Sequence, residues 1–213
     1  MMKEDLASKM NSQYKNKAKI VIIRHGSTKL NSEDKIRGWM DLPLDEKGKE
    51  EAEKMAKDLK NINLDCLIAS DMKRCIQTAE IISDIAGVPI EGVTEAFRPW
   101  NVGIHQGKLA EKVIPEMKEY AEEKPNTPIP EGESFNKFKN RFLNGLMKVQ
   151  KEFKGKKVGI VTHHRGDRIF AAWEKAGMPK DKDVDLDVMF QKGINPGTFR
   201  VQGTKIDTVD KAD

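Results

Sequence analysis

Four β-branched residues, Ile20–Ile23, form an apolar run that is followed directly by Arg24 and His25. A strand without polar positions is typical of a parallel sheet that is covered on both faces. Three other segments predict strands: 66–69, 89–94 and 158–161. Because ligands bind at the carboxyl ends of parallel strands, this pattern places Arg24 and His25 where a site would form.

Segments with helical spacing of apolar residues alternate with these strands. They are 52–62, 72–86, 135–153 and 169–176. This alternation predicts an α/β fold, a three-layer sandwich whose mostly parallel central sheet is flanked by helices. We expect residues 1–19 to be a flexible lead-in and 20–213 to form a single domain, with edge strands at 198–201 and 205–209.

Residues 95–133 interrupt the regular pattern. Five of the nine prolines fall in this segment, which contains one short helical piece at 111–123. A long irregular insertion in an α/β chain is typical of a lid or substrate loop, and we predict that role for it.

Composition excludes several classes of function. The 213 residues include no run of about 20 apolar residues, so a membrane span is not expected. A net charge of +4 and 6% aromatic residues disfavour nucleic-acid binding. Cys66 and Cys75 lack the spacing of metal ligands, and the low cysteine count fits a reducing cytoplasm.

Three predicted strand ends carry related chemistry: Arg24 with His25, Arg74, and His163 with His164. Arg74 lies in the first turn of a helix, where a cation is disfavoured unless an anion is bound nearby. Arginines bind phosphate oxygens in a fixed fork, and a neutral imidazole can attack phosphorus in line. The pattern therefore indicates phosphoryl transfer with His25 as the nucleophile.

An ordered set of motifs resembles the histidine phosphatase superfamily, the phosphoglycerate mutase-like group. The matching segments are 24–26 (RHG), Thr28, Asn31, 38–44 (GWMDLPL), 70–79 (SDMKRCIQTA), 132–134 (GES) and His163. They run in the family's order from residue 20 to about residue 164, and the C-terminus matches more loosely. Arg-His-Gly alone is a weak motif, but the ordered set is specific.

The resemblance implies a phosphoglycerate mutase-like fold and a phosphatase that works through a phosphohistidine intermediate on His25, without a metal or cofactor. The residues implied to hold the phosphate are Arg24, Arg74, His163 and Asn31, with Thr28 in the same motif. The expected substrate is a small phosphorylated metabolite or a phosphoprotein.

Two alternatives remain. One is a mutase-type phosphotransferase, although residues 98–103 (RPWNVG) do not reproduce the Glu-Arg-His-Tyr-Gly signature of mutase lids. The other is a catalytically weak binding or regulatory protein that holds a phosphate ligand. Intact Arg24 and His25 argue against it, because a binding protein needs no nucleophile.

The proton donor departs from the family pattern, because Pro99 stands where a glutamate is usual. Glu95, about one helical turn earlier, is the first alternative and His164 the second, with Asp167 also close in sequence. Arg37 and His164 replace the usual Gln and Gly. Either both contact the substrate beyond its phosphate, or Arg37 is a rim arginine without a specific partner.

Overall fold

The central sheet of the computed structural model contains five strands within the described residues, 17–182, 190 and 193–203. They are β1 (Lys19–Arg24), β2 (Cys66–Ser70), β3 (Ile90–Thr94), β4 (Lys157–Thr162) and β5 (Phe199–Val201). The strand order is β3-β2-β4-β1-β5. The first four strands are parallel, whereas β5 pairs antiparallel with β1 at the edge.

Helices cover both faces of this sheet, which confirms the predicted three-layer α/β fold. The α-helices of the described residues are α1 (Lys29–Ser32), α2 (Glu46–Leu59), α3 (Lys73–Ala86), α4 (Ala110–Glu122), α5 (Phe135–Glu152) and α6 (His164–Lys175). Ile20 and Ile22 pack into the core with α5 and α6. Val21 and Ile23 pack on the opposite face with α2 and α3. The apolar run of β1 is continuous because both of its faces are buried.

The register of the sheet brings the ends of β1, β4 and β2 to one edge. Arg24 of β1 lies opposite Thr162 of β4, and Ala69 of β2 lies opposite Val161. Residues that follow these strands are therefore neighbours in space, although they are separated by up to about 140 positions in sequence.

The predicted irregular segment contains little regular structure before α4. Two short 3₁₀ helices, Glu95–Phe97 and Gly103–His105, precede that helix. Most of the predicted lead-in and the predicted strand at 205–209 lie outside the described residues. No helix of the described part of the chain has the length and apolar character needed to cross a membrane.

A glycine-to-glycine contact fixes the loop after β1 against α2. A Cβ added at Gly26 would lie 2.1 Å from the carbonyl oxygen of Gly48, and one at Gly48 would lie 2.0 Å from that of Ser27. The Ser27 backbone N–H and hydroxyl also donate to the two carboxylate oxygens of Glu51, at 2.7 and 3.0 Å. The backbone that carries His25 is thus held directly by α2.

Gly48→Ala is expected to destabilise the fold, because the new methyl group overlaps backbone atoms that have no room to move. Overpacking of this kind costs about 1–3 kcal/mol. Thermal and urea unfolding should show the loss. Gly92→Ala is the control, since a Cβ at Gly92 meets nothing within 4 Å. Equal stability of the two variants would contradict the close contact.

Candidate active site

A cavity of about 290 Å³ opens at the carboxyl edge of the sheet. Seven of the nine site residues predicted from the sequence line it: Arg24, His25, Asn31, Arg37, Arg74, His163 and His164. Thr28 and Glu95 do not line it. The strand ends therefore converge as the sequence pattern indicated.

His25 is buried directly after β1, with 1% of its surface exposed. Its Nδ1 lies 2.7 Å from the carbonyl oxygen of Gly26. Since a carbonyl oxygen only accepts, Nδ1 carries the proton and Nε2 keeps its lone pair. Burial, followed by the charges of Arg74, Arg37 and Arg24, holds the pKa of His25 well below its usual value. The imidazole is thus neutral, and its Nε2 lone pair is available to attack an electrophile.

Arg24 and Arg37 concentrate positive charge beside His25. The Arg24 Nη1 donates to the carbonyl oxygen of Ile194 at 2.6 Å, and its buried Nε has no hydrogen-bond partner among the described residues. Burial lowers the pKa of Arg24 to about 10. Burial, reinforced by repulsion from Arg24 and Arg74, lowers the pKa of Arg37 to about 9. Such sites favour an anion.

Arg74 reaches the cavity from the first turn of α3. Its Nη1 and Nη2 donate to the carbonyl oxygens of Met40 and Gly38, at 2.7 and 3.1 Å. Its Nε donates to Nδ1 of His163 at 3.3 Å. These contacts orient the guanidinium without neutralising it, because the acceptors carry no charge.

His163 packs edge-on against His25, with ring centroids 5.1 Å apart. Because Nδ1 accepts from Arg74, Nε2 carries the proton and donates to Ser70 Oγ at 3.0 Å. Cys75 Sγ lies 3.5 Å from the same nitrogen. Burial raises the pKa of Cys75 to about 12, so this thiol stays protonated and is not a second nucleophile.

Thr28 supports the site without lining the cavity. Its backbone N–H and its hydroxyl both donate to Asn31 Oδ1 at 3.0 Å, at the start of α1. With that oxygen engaged, the side-chain NH₂ of Asn31 is the group left to contact a ligand. Thr28 therefore acts as a positioning residue for Asn31.

The structure does not bring Glu95 to the cavity. Its side chain is exposed, since the 3₁₀ helix that begins at Glu95 buries Phe97 completely and points Glu95 outward. Pro99, at the usual glutamate position, is buried in the cavity wall. The first sequence-based choice of proton donor is thus not supported by its placement.

His164 and Asp167 are also unsuited to donate a proton. The Nε2 of His164 accepts from the backbone N–H of Gly193 at 3.0 Å, and burial, with the charge of Arg24, lowers its pKa to about 3. Asp167 is buried; burial alone would raise its pKa, but the bonded guanidinium of Arg200 and the charge of Arg168 lower it instead. His164 is therefore neutral and Asp167 ionised near pH 7.

Sequence reasoning missed three charged residues of the cavity wall, Asp34, Lys35 and Arg165. Asp34 follows α1 and has a left-handed φ of 48°. No local sequence motif predicts this turn. Arg165 directly follows the predicted His163–His164 pair, and that adjacency was the available signal. Asp34 is the one carboxylate among the described residues that line the cavity.

Together these groups can hold a phosphate and attack it. Guanidinium groups surround a neutral imidazole whose Nε2 is free, which is the arrangement that in-line phosphoryl transfer requires. Among the described residues, no group of three or more His, Cys, Asp or Glu side chains is placed to hold a metal ion.

Comparison with known proteins agrees with this geometry. A sequence model of the histidine phosphatase superfamily (branch 1) matches residues 20–188. Phosphoglycerate mutase-like protein 4 of Arabidopsis thaliana is 33% identical over 176 residues, which cover 79% of this chain and 75% of the plant protein. The uncharacterized phosphatase PhoE of Bacillus subtilis (strain 168) is 31% identical over 144 residues, 68% of this chain and 70% of its own.

A solved structure shows the same fold. An open-reading-frame product of Mycobacterium tuberculosis superposes with a TM-score of 0.71 at 18% identity, covering 89% of this chain and 92% of that one. The family match spans most of the chain and includes the residues that converge at the cavity. The chain belongs to the histidine phosphatase superfamily.

Proposed function

We propose that the protein is a phosphatase that hydrolyses a phosphomonoester through a phosphohistidine formed on His25. One observation carries the proposal: Nδ1 of His25 is tied to the Gly26 carbonyl, so Nε2 is unprotonated and free inside a cationic cavity. The uncharacterized phosphatase of Bacillus subtilis is a relative whose name agrees with this activity. The side chains supply the positive charge that a metal supplies in other phosphotransferases.

In the first step, the Nε2 lone pair attacks phosphorus and the ester P–O bond breaks. Arg24, Arg37 and Arg74 bind the equatorial oxygens and stabilise their charge. In the second step, water attacks phosphorus, the P–N bond breaks, and inorganic phosphate leaves. His25 regains its original protonation state.

The leaving oxygen needs a proton, and we assign its donor as Asp34. Glu95 does not line the cavity, and Asp167 is locked in an ion pair, whereas Asp34, which is also exposed to solvent, is part of the cavity wall. Its carboxyl group gives a proton to the leaving oxygen in the first step. The resulting carboxylate takes one from the attacking water in the second step, so the proton balance closes.

The cavity volume favours one of the two predicted substrate classes. A cavity of about 290 Å³ is at the lower end of the size of small-molecule sites. A small phosphorylated metabolite fits such a volume, whereas a phosphoprotein would require an open groove. We therefore favour the metabolite.

His25→Ala is expected to lower turnover of p-nitrophenyl phosphate by at least 10³-fold, because it removes the lone pair that forms the covalent intermediate. Acid-labile, base-stable labelling by a ³²P-phosphomonoester should disappear with it. His105→Gln is the control, because His105 does not line the cavity. Wild-type activity should survive EDTA.

Three outcomes would contradict the proposed phosphatase. Equal turnover rates for wild type and His25→Ala would rule out His25 as the nucleophile. Isomerisation of 3-phosphoglycerate without release of inorganic phosphate would indicate a mutase. Tight vanadate binding without turnover of any phosphomonoester would indicate a binding protein.

The pKa of His25 predicts a neutral imidazole well into the acidic range. Since the pKa lies well below 6.5, the unprotonated form persists as pH falls below that value. ¹⁵N NMR of imidazole nitrogens should show a pyridine-like Nε2 and a protonated Nδ1 of His25 from pH 8 to below pH 6.5. If the His25 imidazole titrated with a midpoint near pH 6.5, as an exposed histidine does, the argument from burial and arginine charge would be contradicted.

Asp34→Asn is expected to lower kcat for an alkyl phosphate by about 10²–10⁴-fold, the usual contribution of a general acid. The effect on p-nitrophenyl phosphate should be much smaller, because nitrophenolate leaves without a proton. Glu95→Gln should leave both rates unchanged. A loss with Glu95→Gln and none with Asp34→Asn would restore the first sequence-based choice.

A further inference from the structure

The cavity holds more positive charge than one phosphate group can balance. Four guanidinium groups line it: Arg24, Arg37, Arg74 and Arg165. Asp34 offsets one of them when it is ionised and none when it carries the proton for the leaving group, while the lining Lys35 is already paired with Glu33 at 2.7 Å. A phosphomonoester dianion balances two more charges. At least one lining guanidinium therefore remains without an anion from the described lining residues when the phosphate is bound.

We assign that guanidinium as Arg165, because its side chain is directed toward Met117 of α4 and the ring of Phe190. The charges that contribute most to lowering the pKa of His25 are those of Arg74, Arg37 and Arg24. The charge of Arg165 lowers the pKa of His164, which follows the second histidine of the site. Arg24, Arg37 and Arg74 are thus the arginines that act on His25, whereas the side chain of Arg165 contacts Met117 of α4 and Phe190.

The contacts of Arg165 provide no counter-ion. Its Nη2 lies 3.9 Å from Sδ of Met117 on α4, and its guanidinium lies 5.3 Å from the ring centroid of Phe190. No carboxylate of the described residues forms an ion pair with it. Burial alone lowers the pKa of Arg165 to about 10. A thioether and an aromatic ring orient this charge without neutralising it.

A half-buried cation that has no counter-ion among the described residues is unfavourable in the free protein, and a bound anion relieves the cost. Phe190 and Ile114 are apolar parts of the same cavity wall. An anionic group held beside Arg165 would form strong, charge-assisted hydrogen bonds.

We propose that Arg165 forms a second anion subsite, and that the substrate is a small metabolite with a carboxylate or second phosphate besides the phosphate that is transferred. The proposal rests on the proposed phosphatase function and specifies its substrate class. Arg165 binds the part of the substrate that does not react. It thus sets specificity and leaves the chemistry at His25 unchanged.

Matched substrate pairs test the subsite. Each pair shares its phosphate end and differs in one distant group: 3-phosphoglycerate with glycerol 3-phosphate, 6-phosphogluconate with glucitol 6-phosphate, and fructose 1,6-bisphosphate with fructose 6-phosphate. For wild type, kcat/KM should favour the more anionic member of at least one pair by tenfold or more. Arg165→Gln should abolish that preference and leave the less anionic member within about twofold.

Arg165→Lys keeps the positive charge and should retain part of the preference for the more anionic substrate. This variant therefore distinguishes loss of the charge from loss of the fold. Thermal unfolding of each variant provides the same control. Absence of any preference in wild type would overturn the proposal, as would a preference that survives Arg165→Gln. An equal loss for both members of a pair would place Arg165 in the general machinery instead.

Failure of the proposed function gives a different result. If wild type turns over none of these esters, the phosphatase proposal fails, and calorimetric binding of the same pairs to wild type and Arg165→Gln still tests the subsite. Binding that favours the more anionic member only when Arg165 is present would support it. Equal affinities would overturn it.

Discussion

The site depends on arginines that are oriented by neutral carbonyl oxygens. The Met40 and Gly38 carbonyls accept from Arg74, and the Ile194 carbonyl accepts from Arg24. A carboxylate in these places would fix the same geometry but would consume the charge. Because carbonyls fix the guanidinium groups without cancelling them, the positive potential remains available to a ligand, and it also keeps His25 unprotonated.

Behind the arginines that line the cavity, a buried ion pair supports the segment that orients Arg24. Asp167 accepts from Arg200 Nε at 2.6 Å and from the backbone N–H of Ile194 at 3.3 Å. The same Ile194 presents its carbonyl to Arg24. Asp167, which the sequence offered as a possible proton donor, therefore holds the segment that orients Arg24. A buried and fully partnered carboxylate is suited to that role and unsuited to proton transfer.

Much of the fold and the main part of the site could be predicted because both follow from local pattern. Buried β-branched runs locate the strands, and the rule that parallel strand ends share one edge brings Arg24, His25 and His163 together. Glu95 could not be placed in this way, because its direction depends on Phe97, which packs against Phe142 with ring centroids 5.3 Å apart. Asp34 depends on a left-handed turn with no distinctive sequence.

Pro99, which stands where the family usually has a glutamate, is part of the cavity wall. Arg141 donates to the carbonyl oxygens of Glu95, Ala96, Arg98 and Pro99 and pairs with buried Glu133 at 2.7 Å. This network holds Pro99 against the cavity as an apolar surface. The donor that we propose, Asp34, lies instead on the segment that carries Asn31. The proposed acid and the proposed phosphate-binding amide thus share one short segment after β1, so we expect a change in that segment to alter binding and proton transfer together.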